Sequence, residues 1–272
     1  MERRIGIIGV GNMGGAIARG VVKTGLFGPR EVVLCDVIGE KAETLGGELK
    51  TAVAPNAAET ARLADIILIA VKPQTIEECL SQLKETVGSS HLIISIAAGI
   101  TTALIEGRLG GGARVVRVMP NTPALVGAGA SAICSGAHAT DTDLSETEKI
   151  FAAMGKVYRF DESLMDAVTA VSGSGPAYLF LFAECLERAA VKVGLPEDEA
   201  ADLAAQTLFG ASKLLVESGE SASALRAKVT SPGGTTEAAV AVLDKRGFED
   251  SIVAAVSRAL DRAKELGGVE KN

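Results

Sequence analysis

Arg4-Ile5-Gly6-Ile7-Ile8, continuing as Gly9-Val10-Gly11-Asn12-Met13-Gly14, is the stretch that decides the fold. A short β-branched apolar run reads as a buried strand, and the G-x-G-x-x-G string behind it opens a helical segment, Gly15 to Val22. Alone the glycines carry little weight, because glycine also punctuates ordinary turns. Between a strand and a helix each has its own task. The first permits the tight turn, the second lets the backbone approach a pyrophosphate, and the third lets the helix pack on the strand, with N–H groups and the helix dipole facing the anion. The second strand ends in Asp36, about 20 residues on, where a carboxylate accepts from adenosine ribose hydroxyls. Gly9, Val10, Gly11, Asn12, Met13, Gly14 and Asp36 are therefore expected to hold a dinucleotide; a structural turn is the competing reading.

Asp36 also bears on which cofactor is used. A 2′-phosphate about 4 Å from its carboxylate is repelled by about 1 kcal/mol in water-like surroundings and by up to about 4 kcal/mol at an effective dielectric of 20. That favours NADH over NADPH unless the side chain turns into solvent.

Outward from this turn, the first half repeats the theme. Candidate strands are Arg4 to Ile8, Glu31 to Cys35, Ala64 to Val71, His91 to Ala97, Arg114 to Met119, Ala130 to Cys134 and Lys156 to Phe160. They are short and β-branched, and helical spacers separate the early ones, the signature of a doubly wound, mostly parallel α/β sheet. From about Ser163 the texture changes to Ala-rich helical periodicity, as in Ala201, Ala204, Ala205, Leu208, Ala211, Ser212 and Leu215, and again in Ile252, Ala255, Val256, Ala259, Ala263 and Leu266. Pro196 before Glu197, Asp198 and Glu199 marks one helix start. The expectation is a Rossmann-type domain over 1–162 and an all-α domain over 163–272, joined without a flexible linker. The helical half is small, so its remaining apolar faces are expected to pack against a second subunit, with a self-contained bundle as the alternative.

Composition narrows the function. The 272 residues suit two domains, and 47% hydrophobic with 22% charged residues is an ordinary globular mix. Two Tyr, seven Phe and no Trp leave little for stacking on single-stranded nucleic acid, and a net charge of −7 without a basic block disfavours phosphate-backbone binding. His91, His138 and the cysteines Cys35, Cys79, Cys134 and Cys185 are scattered, which argues against zinc and for unpaired intracellular thiols. The uncharged stretches Thr86 to Ile105 and Val118 to Thr140 are interrupted by polar residues, Gly and Pro, so no membrane span is expected. The apolar run after Met-Glu-Arg-Arg is too short for a signal peptide, and a cytoplasmic protein is expected.

Three further strings suit a substrate site: Val118-Met119-Pro120-Asn121-Thr122-Pro123, Ser172-Gly173-Ser174-Gly175-Pro176-Ala177-Tyr178, and Val229-Thr230-Ser231-Pro232-Gly233-Gly234-Thr235-Thr236-Glu237. In the last, two glycines beside hydroxyl residues precede a helical run, Glu237 to Lys245. Free N–H groups there suit a carboxylate, worth roughly 0.3 to 2 kcal/mol through the dipole. The alternative is a plain capping loop with Ser231 as N-cap and Pro232 at N1. The second string interrupts a helix otherwise continuous from Leu164 to Val193, where an interior proline costs about 3 kcal/mol; close approach of a ligand or partner helix explains it, or a mere helix break.

Taken together, Gly9 to Gly14, Ala70-Val71-Lys72-Pro73, Met119 to Pro123, Ser172 to Tyr178 and Thr230 to Thr236 resemble pyrroline-5-carboxylate reductase, over essentially the whole chain. The resemblance implies NADPH- or NADH-dependent reduction of the cyclic imine 1-pyrroline-5-carboxylate to L-proline, the last step of proline biosynthesis. It implies a homodimer with interleaved helical domains, often assembled further into a ring of dimers, a decamer. Carried over, Ala70, Val71, Lys72 and Pro73, with Ser95-Ile96-Ala97-Ala98-Gly99, would line the nicotinamide half, and Asn121 would sit beside the ring. Asn56 or neighbouring Ala57 would lie near the adenosine ribose. Ser231, Gly233, Gly234, Thr235 and Thr236 would hold substrate, Thr236 by its hydroxyl at the ring nitrogen, and Glu162 matches a position near the substrate. The residues alone would read Glu162 as a solvated helix-start acid, and they supply no role for Lys72 beyond its backbone. Many family members carry Ser or another neutral residue where Asp36 stands, which sets the common NADPH preference against the acid here.

Two other classes fit less of the sequence. A β-hydroxyacid dehydrogenase shares the layout but needs a lysine soon after the glycine-rich helix start, and none follows Gly175 until Lys192. A non-catalytic dinucleotide sensor would show a degraded substrate loop, whereas Ser231 to Thr236 is intact.

Overall fold

The computed structural model describes residues 3–110 and 112–267. Eight strands form one sheet: β1 Ile5–Ile8, β2 Val32–Cys35, β3 Ala52–Val53, β4 Ile66–Ile69, β5 Leu92–Ser95, β6 Arg114–Met119, β7 Gly129–Ser135 and β8 Gly155–Arg159. Their order is β3-β2-β1-β4-β5-β6-β7-β8. β1 is central to the dinucleotide half, with Ile5 level with Val32 on one side and Ile66 on the other. All pairings are parallel except β6 with β7. That exception follows from chain length, since the tight 3-10 turn Thr122–Val126 is too short for a crossover.

The sheet is apolar on both faces because helices cover both. Ile5, Ile7, Leu34, Leu68 and Ile94 face α1 (Asn12–Lys23), α2 (Gly39–Leu49) and α6 (Asp141–Ala152). Ile8, Ile67, Ile69, Ile93 and Val115 face α3 (Ala57–Leu63), α4 (Ile76–Leu83) and α5 (Thr102–Leu109). The expected doubly wound architecture is present, and the seven expected strands stand in place with no end moved by more than two residues. The eighth, β3, went unread because two exposed residues at a sheet edge carry no periodicity.

Beyond β8 the described chain is helical. The segment expected as one helix from Leu164 is a 3-10 turn Glu162–Leu164, α7 (Met165–Val168), a π turn Thr169–Gly173 and α8 (Gly175–Lys192). The π turn closes with Ser174 N–H donating to the Thr169 carbonyl at 2.9 Å. Pro176 falls second in α8, where a missing N–H costs little. Then come α9 (Glu197–Ser218), α10 (Ala222–Lys228), α11 (Thr235–Lys245) and α12 (Phe248–Gly267). By contacts, one compact unit closes at Ser174 and a second runs from Gly175 to Arg258, with Ala259 to Gly267 belonging to the first.

Candidate functional site

Parallel strands bring their carboxyl ends to one edge, and between β1 and β4 the connections depart in opposite directions, leaving a crevice. A cleft of about 400 Å³ lies there, lined by Gly9, Gly11, Asp36, Asn56, Ala70, Val71 and Lys72 among others. Gly9 has φ +92°, and a Cβ on it would lie 2.7 Å from the Ala70 carbonyl oxygen. A Cβ on Gly14 would lie 1.9 Å from the Gly9 oxygen, so α1 can seat on β1 only with glycine there. At Gly11 a Cβ would meet nothing within 4 Å. The protein itself thus requires the first and third glycines, while the second fronts open space. Gly11 is also the N-cap of α1 and no side chain caps the helix, so the N–H groups of Asn12 and Met13 keep the helix-start geometry that receives an anion. This cradle fits the pyrophosphate of a dinucleotide.

Asp36 stands half-buried at the end of β2. Its Oδ2 accepts from Val10 N–H at 2.8 Å and its Oδ1 from Ile38 N–H at 2.9 Å. The carboxylate is therefore tied to the glycine turn and does not swing into solvent. Each oxygen keeps a lone pair for a hydroxyl. Val10 contributes through this bond, its N–H spent on Asp36. Asn56 caps α3, its Oδ1 accepting from Glu59 N–H at 2.9 Å. The Lys72 carbonyl accepts from both the N–H and the hydroxyl of Thr75, which fixes the turn into Pro73, while the exposed Lys72 side chain lines the cleft. Burial pushes the Cys79 thiol up to about 12, with Cys35 and Glu78 adding to it, and burial likewise raises Cys35. These two thiols stay neutral and give the cleft an apolar wall.

Farther along the same edge lie the loops after β5 and β6. Ala97 is buried and Ala98 half-buried in the turn that precedes α5. Asn121 is built into the protein on both sides of its amide. Oδ1 accepts from Ala130 N–H at 2.9 Å, and Nδ2 faces the Ser172 carbonyl at 3.3 Å and hydroxyl at 3.2 Å. The glycine-rich Ser172 string is thereby hung, through its π turn, from the end of β6.

Glu162 is partly buried and not free. Its carboxylate accepts from Thr102 N–H at 2.8 Å and Thr102 Oγ1 at 2.6 Å, and Arg117 Nη1 lies at 3.3 Å. Reading it as a solvated helix-start acid was an error, because buried partners distant in sequence claim both oxygens. Those partners, Thr102 and Arg117, were missed. The available signal was Arg117 itself, a lone charge in the apolar run Val115 to Met119.

The Ser231 to Thr236 loop belongs to the second unit. Helix α11 begins at Thr235 with Gly234 as N-cap, so Ser231 and Pro232 are not the cap and N1. Gly233 has φ +71°, the left-handed region that favours glycine. Contrary to expectation, neither glycine N–H is free. Gly233 N–H donates to Glu237 Oε2 at 2.8 Å and Gly234 N–H to the Ser231 carbonyl at 3.0 Å. The turn spends those donors on holding its own shape. The first-turn N–H groups of Thr235 and Thr236, which have no intrahelical partner, and the hydroxyls of Ser231, Thr235 and Thr236 are what the loop has to offer an anion. Neither histidine lines the cleft; His91 is held by Gly88 N–H and the Ala61 carbonyl.

Residues 162–266 match a family model described as pyrroline-5-carboxylate reductase dimerisation, and residues 4–99 match one described as coenzyme F420-dependent NADP oxidoreductase. The pyrroline-5-carboxylate reductase of Methanosarcina acetivorans is 43% identical over 266 residues, covering 98% of both chains. A solved pyrroline-5-carboxylate reductase from Coxiella burnetii superposes with TM-score 0.91 at 36% identity, over 97% of this chain and 98% of that one. The NADP-bound pyrroline carboxylate reductase of Plasmodium falciparum gives TM-score 0.87 at 32% identity, over 98% and 99%.

Proposed function

The chain belongs to the pyrroline-5-carboxylate reductase family, and from that premise we infer that it reduces 1-pyrroline-5-carboxylate to L-proline with NADH or NADPH, the last step of proline biosynthesis. The observation that carries the reading is the cradle at Gly11, open in front and closed behind, at the switch point of the sheet. The bound nicotinamide supplies the hydride. The chain's residues position and polarise. The Gly9 to Gly14 turn and the start of α1 receive the pyrophosphate, Asp36 accepts from the adenosine ribose, and Asn56 closes that end of the cleft. Ala70, Val71, Lys72 and Pro73, with Ala97, Ala98 and the Asn121 backbone, support the nicotinamide side.

The substrate's carboxylate goes to the first turn of α11, where dipole and hydroxyls favour an anion. Thr236 sets its hydroxyl against the ring nitrogen, which needs to be protonated for its carbon neighbour to accept hydride. A cyclic imine is basic enough to take that proton from solvent near neutral pH. This explains a site that relies on orientation and electrostatics with no histidine at the cleft. We place the functional boundary at 162/163, where the match to the dimerisation family begins, and subunits pair through the helical half, with assembly of dimers into a ring following the family resemblance. Four free thiols fit a reducing cytoplasm.

The test is loss of reduced-nicotinamide absorbance on adding the imine, for the wild type and Thr236→Ala. The variant is expected to lose about 10- to 1,000-fold in kcat/KM while binding cofactor and unfolding as the wild type does. Unchanged kinetics would remove Thr236 from the mechanism, and no turnover by a folded, cofactor-binding wild type would remove the reaction.

A further inference from the structure

The turn between β5 and α5, residues 96–101, lies across the switch point from Asp36, the side toward which the nicotinamide half of a dinucleotide extends. Within the turn Ile100 N–H reaches the Ala97 carbonyl at 3.4 Å. Ser95 Oγ accepts from Ala97 N–H at 3.3 Å, Gly99 takes φ +76°, and α5 begins at Thr102 behind the cap Thr101. From outside, Ile96 N–H donates to the Ile69 carbonyl at 3.1 Å and Gly99 lies close against the backbone of Leu266 and Gly267, while the α5 end of the turn is set by Glu162. One carboxylate takes both donors of Thr102, the backbone N–H and the hydroxyl, and shares Arg117.

Arg117 is 3% exposed, in the middle of β6. Its Nη2 has Asp166 Oδ1 at 3.6 Å and no hydrogen bond of its own, so the guanidinium is aimed by the two acids and not saturated by them. Cys134, level with Arg117 on β7, is a buried thiol that burial pushes up to about 12 and so keeps neutral. A buried ion pair such as this adds little stability over a well-packed apolar pair. What it adds is direction, because the bonds to Thr102 hold only at one height of the α5 start.

We propose that Glu162 and Arg117 form a positioning clasp that sets the 96–101 turn for the nicotinamide half of the cofactor, Glu162 touching neither cofactor nor substrate. This rests on the dinucleotide reading of the cleft and replaces a direct catalytic role for Glu162. Among the described residues the hydrogen bonds of Asp36 go to Val10 and Ile38 and those of the clasp to Thr102, so the adenosine half is expected to bind independently of the clasp.

The experiment compares NADH with ADP-ribose, which lacks the nicotinamide riboside, by calorimetric titration of the full chain. Glu162→Ala is expected to weaken NADH about tenfold or more, the scale of a lost hydrogen bond to a charged group, and to leave ADP-ribose within about twofold. Glu162→Gln, which still accepts from Thr102, is expected to recover most of the loss. If Glu162→Ala does not fold, Thr102→Val carries the test with the same split at smaller amplitude, since it removes the hydroxyl bond and keeps the shape. Equal weakening of both ligands, or no change in either, overturns the clasp. Imine reduction by the wild type is measured separately: if it fails while the split holds, the reaction is wrong and the clasp stands.

Discussion

Asp36 shows how far a residue's identity can be read and where geometry must take over. An acid at the end of the second strand points to ribose hydroxyls from its type and place alone. Whether it stays there depended on two backbone donors, Val10 and Ile38, whose availability residue types do not reveal. With both oxygens tied, the charge sits where a 2′-phosphate would have to go. Lys41, near the start of α2, lines the same cleft and, with Lys72, supplies the opposing charge. A fixed carboxylate at close range is worth about 1 kcal/mol or more against the phosphate, whereas a long solvated lysine side chain gives much of its attraction back in entropy. We therefore expect NADH to be favoured over NADPH about fivefold or more in Kd, and Asp36→Ser to shrink or reverse that ratio. Fluorescence titration with the two cofactors checks this against a background of only two Tyr and no Trp. A wild type that prefers NADPH would show the two lysines outweighing the acid.

At the scale of elements, legibility followed periodicity. Strands buried on both faces and helices with an apolar stripe were readable, because each repeats its signal several times. The π turn was not. The Gly-Ser-Gly-Pro string announced an interruption, but its form depends on Asn121, about fifty residues earlier, grasping Ser172. Thr102 and Arg117 escaped for the same reason, since their partner Glu162 is reached only through the folded sheet. The donors of the Gly233-Gly234 turn are not legible in the sequence because Glu237, in the first turn of α11, reaches back to claim one of them. Asn121→Ala breaks the link between β6, β7 and the π turn at once, leaving Ala130 N–H without its acceptor. The expected cost is about 1 to 3 kcal/mol in urea unfolding, with kcat/KM for the imine falling further than stability alone explains. An Asn121→Ala protein that unfolds at the wild-type urea midpoint would show that the π turn holds without it.

The whole molecule carries a surface that a single chain does not justify. In the second unit Phe180, Phe209 and Val216 are 64%, 62% and 64% exposed, and Leu179, Leu181, Leu203 and Leu214 are more than half exposed. They lie on α8 and α9, which pack on one another and still leave these side chains exposed. Isolated exposed apolar residues are normal, but a run of them along two helices marks an interface. The described residues contain no helix long and apolar enough to cross a membrane. A second copy of the chain is the occupant that a dimerisation family implies, and in a two-fold pair every contact is made twice. Burying one Phe is worth about 1.5 to 3 kcal/mol, so Phe209→Lys removes roughly 3 to 6 kcal/mol from the pair, a rise in dissociation constant of more than about 100-fold. Sedimentation at micromolar concentration is expected to show at least twice the 27.8 kDa chain mass for the wild type and a shift toward 27.8 kDa for Phe209→Lys, with imine reduction lost in proportion. A wild type that sediments as a monomer and turns over normally would mean that the helical half keeps its apolar face exposed in the working enzyme.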